Sequence, residues 1–259
     1  MQLQGQSVLV TGAANGIGRA IALGMARAGA DVAASDLDKA NVSTLKAEIE
    51  TMGRKCIAIE ADAGDVAAID AMVSQTVDVF GKIDVIVNNA GVTRRAQIMD
   101  LTEDDFDRMN RVNTKGVFFC MQRAAKEMIK QGGGRIINIA SIAGKGFAGS
   151  SNVIYAGTKG AVIAMTRLGS VQLGPHNITV NAVCPGVTET AIYDAIMASD
   201  AEKQGVPEAE VRAKALEKIP LRRSNTPGDI ADMCVFLASD AARNVSGQSL
   251  HVDGALVPD

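Results

Sequence analysis

The sequence predicts a doubly wound α/β fold, with a parallel seven-stranded sheet flanked by helices on both faces. Short runs rich in Val, Ile and Ala alternate along the chain with longer stretches whose apolar residues follow a helical period. Hydrophobic residues make up 47% of the 259 residues but aromatic residues only 3%, which suits small side chains packed between helices and a sheet. No repeat, linker or low-complexity segment divides the chain, so we expect residues 1–259 to form a single domain.

Seven short runs have the length and branching of buried strands. In chain order they are residues 7–10, 31–36, 55–62, 83–91, 133–141, 177–186 and 248–254. Helices are predicted between them, at residues 16–30, 39–53, 65–81, 102–130, 152–173 and 225–239. Gly29, Gly53 and Gly81 are typical of helix C-terminal ends, and Thr102 and Thr226 are typical N-caps. This alternation favours right-handed crossovers between parallel strands.

Residues 191–219 fall outside the alternation. They are rich in Ala and Met, helical in composition, and follow the end of a predicted strand. We therefore expect a small helical lid over the substrate site, at about residues 190–219.

Charge and composition exclude several classes of function. A net charge of −3 with no basic block argues against nucleic-acid binding and a polybasic membrane anchor. The N-terminus lacks a signal-peptide pattern, and no apolar run approaches the ~20 residues that span a bilayer. Two histidines and four scattered cysteines do not suit a metal site or a Ser-His-Asp triad. We expect a cytoplasmic protein with free thiols, no metal and no membrane or nucleic-acid partner.

A glycine-rich loop, "VTGAANGIGRA", follows the first strand and opens the first helix. The glycines let the backbone turn tightly and approach a pyrophosphate, and the helix start supplies N–H groups with partial positive charge. A second strand that ends in an acid completes the context of a Rossmann dinucleotide-binding domain. The candidate cofactor residues of this loop are Gly12, Asn15, Gly16, Ile17 and Gly18.

The acid that ends the second strand is Asp36. Its carboxylate could accept hydrogen bonds from the adenosine ribose hydroxyls, and it would repel the 2′-phosphate of NADP by roughly a few kcal/mol. Leu37 follows where a basic residue could grip that phosphate, and Lys39 suits a solvated helix start. We therefore predict NAD rather than NADP as the cofactor, with Asp36 and Leu37 on the ribose side.

Over its full length the chain resembles the short-chain dehydrogenase/reductase family. "TGAANGIG" matches the TGxxxGIG cofactor motif, and "NNAG" matches the motif after the fourth strand. Ser141, Tyr155 and Lys159 match the S…YxxxK signature, and Asn113 matches the asparagine of the family's tetrad. "PGVTET" and "GQSLHVDGA" match two later motifs. The usual YxASK here is "YAGTK" and the usual VDGG is "VDGA", but neither change removes a functional side chain.

The resemblance implies a role for each signature residue. Tyr155 would be the acid/base at the substrate oxygen. Its pKa, ordinarily about 10, would be lowered by the Lys159 ammonium and the oxidised nicotinamide. Lys159 would also bind the nicotinamide ribose, Ser141 would hydrogen-bond the substrate oxygen, and Asn113 would hold a water that links Lys159 to solvent. The spacing of Tyr155 and Lys159 puts both on one helix face.

The resemblance also implies further cofactor contacts. Asp62 would bond the adenine amine, Ala63 would offer a backbone contact, and residues after strand six would meet the nicotinamide. The remaining candidates are Asn89, Ala90, Gly91, Pro185, Gly186, Val187, Thr188 and Thr190.

Substrate contacts are predicted after Gly91, after Ser141 and in the lid. Arg94, Arg95 or Lys145 would favour a carboxylate or other anion if one of them faces the pocket, although all three also suit a solvated surface. Tyr193 is the candidate in the lid.

The main hypothesis is an NAD-dependent dehydrogenase of a small polar secondary alcohol, such as a polyol, diol, sugar or hydroxy acid. One alternative is a 3-oxoacyl-carrier-protein-type ketoreductase, which "NNAGVTR" resembles, although those reductases generally use NADPH. Another is an NAD-binding homologue without activity. The resemblance also implies a homotetramer that packs through the helices near residues 102–130 and 152–173.

Overall fold

Seven parallel strands form one sheet in the computed structural model, which describes residues 2–147, 149 and 151–258, without the side chain of Ile192. The strands are β1 (Ser7–Thr11), β2 (Asp31–Asp36), β3 (Cys56–Glu60), β4 (Val85–Asn88), β5 (Gly134–Ile139), β6 (Ile178–Pro185) and β7 (Ser249–Val252). Their order is β3-β2-β1-β4-β5-β6-β7, which confirms the predicted doubly wound sheet. The order reverses between β1 and β4, where such sheets bind ligands beyond the carboxyl ends of the strands.

Helices cover both faces of the sheet. They are α1 (Gly16–Arg27), α2 (Lys39–Thr51), α3 (Val66–Phe80), α4 (Glu103–Asn110), α5 (Val117–Gln131), α6 (Val153–Leu173), α7 (Ala191–Gln204), α8 (Glu208–Glu217) and α9 (Pro227–Ala238). The predicted N-caps are confirmed, because Thr102 and Thr226 form capping boxes with Asp105 and Asp229. Gly81 ends α3 in the left-handed conformation, with φ at 77°.

Apolar side chains fill the space between the sheet and each helical layer. On one face α1, α2 and α9 bury residues such as Ile21, Leu45 and Leu237. On the other face α3, α5 and α6 bury residues such as Met72 and Met128. The core is thus built largely from aliphatic residues and methionine, as the aromatic-poor composition predicts.

The helix predicted over residues 102–130 is interrupted. A π-helical turn, Arg111–Gly116, lies between α4 and α5. Such turns insert one extra residue and often occur at functional sites. A Cβ on Gly116 would lie 2.1 Å from the carbonyl oxygen of Ala63, so the turn packs against the loop after β3 at a distance that glycine allows. Periodicity missed the interruption because this contact involves a distant part of the chain.

The segment predicted as a lid, residues 191–219, contains α7 and α8. Met197 and Val211 belong to a small buried cluster between these helices, distinct from the clusters on the sheet. A backbone hydrogen bond from Glu189 to Asn225 (2.8 Å) joins the chain just before the segment to the chain just after it. Its role as a lid stays a prediction.

None of the helices in the described ranges is long and apolar enough to cross a membrane.

Two asparagines in the middle of the sheet carry a buried hydrogen-bond network. Asn88 Nδ2 on β4 donates to Asn138 Oδ1 on β5 at 2.8 Å, and Asn138 Nδ2 donates to Thr166 Oγ1 on α6 at 2.9 Å. All three residues are buried. Because an unpaired buried polar group costs about 1–3 kcal/mol, the network favours one register of α6 on the sheet.

We expect Asn138→Ala to lower the free energy of unfolding by about 2–4 kcal/mol. The change leaves Asn88 and Thr166 without this partner and opens a cavity. Urea unfolding followed by circular dichroism measures the loss. The control is Asn41→Ala on the exposed surface of α2, for which we expect a change below about 0.5 kcal/mol. Equal losses in the two variants would contradict the importance of the network.

Candidate active site

The loop between β1 and α1 depends on its three glycines. Gly12 and Gly16 have φ angles of 65° and 54°, which favour glycine. A Cβ on Gly18 would lie 2.0 Å from the Gly12 carbonyl oxygen, so the helix start packs directly on the loop. Asn15 is the N-cap of α1 but makes no side-chain hydrogen bond to the first turn, and Ile17 packs against the core. The uncapped N–H groups of this turn suit a pyrophosphate.

The loop after β4 is fastened to the glycine loop by hydrogen bonds. Asn89 Nδ2 donates to the carbonyl oxygens of Thr11 (3.0 Å) and Gly12 (2.9 Å). Thr11 Oγ1 accepts from the backbone N–H groups of Asn89 and Ala90, both at 3.1 Å. Asn89 therefore supports the shape of the glycine loop, in addition to its predicted contact on the ribose side.

The carboxylate of Asp36 lies beside the glycine loop at the end of β2. Its Oδ2 accepts from the Ala14 N–H at 3.0 Å, and its Oδ1 accepts from a backbone N–H two residues further on at 3.1 Å. Leu37 is exposed. The Lys39 ammonium lies 3.3 Å from Glu60, so the cation predicted to be solvated is turned toward another carboxylate.

Asp62 and Ala63, predicted on the adenine side, lie in the loop after β3. Asp62 Oδ1 accepts from the Gly64 N–H at 2.7 Å, and Oδ2 accepts from Arg111 Nη1 at 2.6 Å. Burial raises the pKa of Asp62, but the hydrogen bonds from Arg111 and Gly64 outweigh it and bring the pKa below its ordinary value. Both ends of the π-turn therefore contact this loop. Arg111 bonds Asp62, and Gly116 packs against the Ala63 carbonyl.

Tyr155 and Lys159 lie one turn apart at the start of α6, as their spacing predicts. Lys159 is buried, and its Nζ donates to the Ile139 carbonyl at 2.7 Å and lies 5.7 Å from the centre of the Tyr155 ring. Ser141, two residues after β5, hydrogen-bonds the Tyr155 side chain, and its Oγ accepts from the Ala143 N–H at 3.1 Å. These three side chains therefore meet at the carboxyl end of β5.

Burial governs the protonation of both groups on α6. It raises the pKa of Tyr155 above its ordinary value, and the hydrogen bond with Ser141 opposes this rise. It also lowers the pKa of Lys159 to about 8, which nearby Cys184 opposes. Burial is thus the largest influence of the protein on the pKa of Tyr155, and it acts against the lowered value that the resemblance implies.

Asn113 lies in the π-turn and is completely buried. Its Nδ2 donates to the Val92 carbonyl (2.9 Å) and Thr158 Oγ1 (3.1 Å), and its Oδ1 accepts from the Val92 N–H (2.8 Å). The side chain thus links the loop after β4 to α6. A Cβ on Gly91 would lie 3.3 Å from Asn113 Oδ1 and 3.6 Å from Lys159 Nζ. Since both amide hydrogens are donated to protein groups, a water would need the oxygen acceptors of Asn113, and its relay role stays a prediction.

Residues 185–190 connect the end of β6 to α7. Gly186 passes so close to Asp253 that a Cβ on the glycine would lie 2.6 Å from the Asp253 Cβ. Thr190 is the N-cap of α7, and its methyl group would lie 3.5 Å from a Cβ on Gly16. The segment predicted to meet the nicotinamide therefore also lies against the glycine loop.

The two arginines predicted near the substrate each have a carboxylate partner. Arg94 pairs with Asp105 at 2.6 Å, and its hydrogen bonds hold the pKa of Asp105 down to about 2. Arg95 pairs with Asp200 on α7 at 2.9 Å. An anionic substrate would have to compete with these carboxylates, so substrate contact by either arginine stays a prediction.

The other two substrate candidates lie on different elements. Lys145 is half-buried in the short helical turn Ile142–Lys145 that follows Ser141. Tyr193 is half-buried on α7, where the Arg212 guanidinium lies 5.1 Å from the centre of its ring. Burial raises the pKa of Tyr193, and Arg212 opposes the rise. Substrate contact by Lys145 and by Tyr193 stays a prediction.

Three residues of this region were missed by the sequence patterns. They are Thr11, which braces the loop after β4, Arg111, which pairs with Asp62, and Asn152, which caps α6. A signal existed for Asn152, because asparagine directly before a helical run is a typical N-cap. Thr11 opens the TGxxxGIG motif, but its bracing role was not predicted, and Arg111 carried no local signal, since their partners lie far away in the chain.

Metal ligands do not gather at this site. In the described parts of the chain, no group of three or more His, Cys, Asp or Glu side chains could hold a metal ion. The four cysteines, all described, are buried and none is in a disulfide.

Known families and proteins match nearly the whole chain. A family model described as "Enoyl-(Acyl carrier protein) reductase" matches residues 12–256. A short-chain dehydrogenase/reductase of Armillaria gallica is 41% identical over 260 residues, covering 99% of this chain and 97% of that protein. The 3-oxoacyl-[acyl-carrier-protein] reductase FabG of Thermotoga maritima is 40% identical over 258 residues, covering 99% of this chain and 100% of that protein.

Solved structures show the same architecture. An NAD+-bound xylitol dehydrogenase superposes with a TM-score of 0.91 at 31% sequence identity, covering 98% of this chain and 100% of that chain.

We expect Gly18→Ala to lower the thermal unfolding temperature by several degrees, corresponding to about 1–3 kcal/mol. The added Cβ would lie 2.0 Å from a backbone oxygen, which cannot yield as a side chain can. The matched control is Gly174→Ala at the end of α6, where φ is −53° and no atom lies within 4 Å of the new Cβ. Equal melting temperatures for the two variants would show that the close approach is not required.

The buried Lys159 predicts a pH dependence of stability. An unfolded lysine keeps its proton up to a pKa of about 10.4, whereas folding lowers the pKa of Lys159 to about 8. Between these values the unfolded chain binds more protons, so the contribution of Lys159 to stability rises with pH. We expect wild type to gain stability relative to Lys159→Met between pH 8 and pH 10, measured by urea unfolding at each pH. A constant difference would contradict the lowered pKa.

Proposed function

Since the chain belongs to the short-chain dehydrogenase/reductase family of oxidoreductases, we propose that it is an NAD-dependent dehydrogenase of a small polar secondary alcohol. The substrate class is a polyol, vicinal diol, sugar or hydroxy acid. The observation that carries the proposal is the meeting of Ser141, Tyr155 and Lys159 at the carboxyl end of β5. They lie next to a β4 loop that is itself bonded to the glycine loop.

The residues around β1 and β2 fit a dinucleotide. The uncapped first turn of α1 and the tight glycine loop would hold the pyrophosphate, and Asp36 would accept from the adenosine ribose. Asp62 would bind the adenine, and Lys159 would bind the nicotinamide ribose. A bound nicotinamide supplies the hydride acceptor or donor, which no side chain of the protein provides.

The proton at the substrate oxygen is the part of the reaction that the chain itself performs. In alcohol oxidation Tyr155 would take this proton at its phenolic oxygen, and in ketone reduction it would return the proton. Ser141 would hydrogen-bond the same substrate oxygen and hold it toward the phenol. The Lys159 ammonium favours the phenolate electrostatically, while burial favours the neutral phenol, so Tyr155 can act in both directions.

The ribose side of the site favours NAD. Asp36 would face the 2′ position of the adenosine ribose, where a phosphate would meet its negative charge. The nearest cation along the chain, Lys39, lies 3.3 Å from Glu60 and would have to leave that carboxylate to neutralise the phosphate of NADP.

One relative favours a second candidate function. The Thermotoga maritima 3-oxoacyl-[acyl-carrier-protein] reductase is 40% identical over 258 residues, so a ketoreductase acting on an acyl thioester is the rival. The polyol hypothesis is supported by the NAD+-bound xylitol dehydrogenase, whose sequence is 31% identical to this chain. A third possibility, an NAD-binding homologue without turnover, is disfavoured because Tyr155 and Lys159 are both retained.

We further propose that the protein is a cytoplasmic homotetramer, and that α7 and α8 close over the substrate. Exposed apolar side chains on α4, α5 and α6 support association through these helices. They include Phe106, Phe118, Leu168 and Val171.

Reduced-nicotinamide absorbance tests the function directly. Polyols, diols, sugars and hydroxy acids are offered with NAD and with NADP, and a 3-oxoacyl thioester is offered with NADH and with NADPH. We expect turnover of a small alcohol with NAD, loss of at least about 1,000-fold in kcat for Tyr155→Phe, and weaker discrimination against NADP for Asp36→Ser. Preferential reduction of the thioester with NADPH would support the ketoreductase instead. Binding of NADH without turnover of any compound would support the homologue without activity.

A further inference from the structure

Asn152 joins two parts of the site through one buried side chain. It is the N-cap of α6, and its Oδ1 accepts from the Tyr155 backbone N–H at 2.8 Å. Its Nδ2 donates to the Arg94 carbonyl oxygen in the loop after β4 at 2.6 Å. The residue is only 8% exposed. The amide therefore connects the turn that carries Tyr155 to the loop that follows the NNAG motif.

Neighbouring contacts strengthen the same connection. Thr93 Oγ1 and Ser151 Oγ lie 2.5 Å apart, between the β4 loop and the residue that precedes Asn152. Asn152 Nδ2 also lies 3.5 Å from Thr93 Oγ1 and 3.7 Å from the sulfur of Met109 on α4. The amide is thus enclosed by the loop after β4 and by Met109 on α4, where water competes little for its hydrogen bonds.

The part of α6 that follows Tyr155 is anchored by other contacts. Lys159 donates to the Ile139 carbonyl, and Thr158 accepts from Asn113. Tyr155 therefore lies between an anchor one turn later and the Asn152 anchor before it. Loss of the earlier anchor would free the helix end that precedes the phenol, because terminal turns lack internal hydrogen bonds.

We propose that Asn152 is a positioning residue for the reaction, holding the turn of Tyr155 against the loop after β4. The inference rests on the proposed function, since it takes Tyr155 as the acid/base. Serine or aspartate caps a helix as well as asparagine does. An amide, however, offers an acceptor for the Tyr155 N–H and a donor for the Arg94 carbonyl at once.

The variant Asn152→Ser separates the tether from the cap. Serine retains a capping oxygen but is too short to donate to the Arg94 carbonyl as well. We expect kcat to fall about fivefold to tenfold, the effect of one lost hydrogen bond, while KM for NAD changes less than about twofold. The control Thr226→Ala removes the cap of α9, and it should lower stability while leaving kcat unchanged.

A second readout needs no substrate. The chain has two tyrosines and no tryptophan, so in a Tyr193→Phe background the intrinsic fluorescence comes from Tyr155. Adding Asn152→Ser should raise the slope of acrylamide quenching by about twofold, because the freed turn exposes the ring. Adding Thr226→Ala should leave the slope unchanged. Circular dichroism on the same samples verifies that each variant is folded.

The outcomes distinguish this proposal from the proposed function. An unchanged quenching slope for Asn152→Ser overturns the positioning role, and so does an unchanged kcat. If no substrate is turned over by the wild type, the proposed function fails, while the quenching slope still decides whether Asn152 holds Tyr155 in place.

Discussion

The close contact between the glycine loop and the loop after β4 is the constraint on which the rest of the site depends. The reversal of strand order puts β1 beside β4, so their carboxyl ends emerge together. Asn89 then bonds the carbonyl oxygens of the glycine loop, and Gly18 approaches the Gly12 carbonyl more closely than any Cβ would permit. With these two loops fixed, Gly91 follows directly beside the side chains of Lys159 and Asn113. The predicted cofactor side and the predicted catalytic side of the candidate site therefore share one contact between loops.

The π-turn between α4 and α5 connects these loops to the helix that carries the phenol. Arg111 pairs with Asp62 in the loop after β3. Asn113 donates hydrogen bonds to Val92 in the loop after β4 and to Thr158 on α6. A regular helix has one residue fewer in this turn, so it would not direct both side chains to these partners. The irregularity is thus a way to join the predicted adenine side to α6 through a single short segment.

The cations of the candidate site are of two kinds, arginines paired with carboxylates and a buried lysine that bonds a backbone carbonyl. Arg94, Arg95 and Arg111 each lie against a carboxylate at the rim. Lys159 instead donates to a carbonyl, and burial lowers its pKa to about 8. A buried ammonium responds strongly to added or removed charge, because little water screens it. The same burial raises the pKa of Tyr155 and so favours the neutral phenol, which the hydrogen bond with Ser141 opposes.

Local patterns in the sequence determined the elements and most members of the candidate site. Alternating strands and helices, the glycine spacing, the acid after β2 and the four-residue spacing of Tyr155 and Lys159 all depend on neighbours in the chain. The caps Thr102 and Thr226 were predictable for the same reason. Tertiary structure alone decided the π-turn, the bracing by Thr11, the pairing of Arg111 with Asp62, and the carboxylate partners of Arg94 and Arg95. It also decided that burial raises the pKa of Tyr155 more than the hydrogen bond with Ser141 lowers it. Each of these depends on groups brought together from distant positions, or on how much water the fold excludes, and neither quantity is written in local periodicity or spacing.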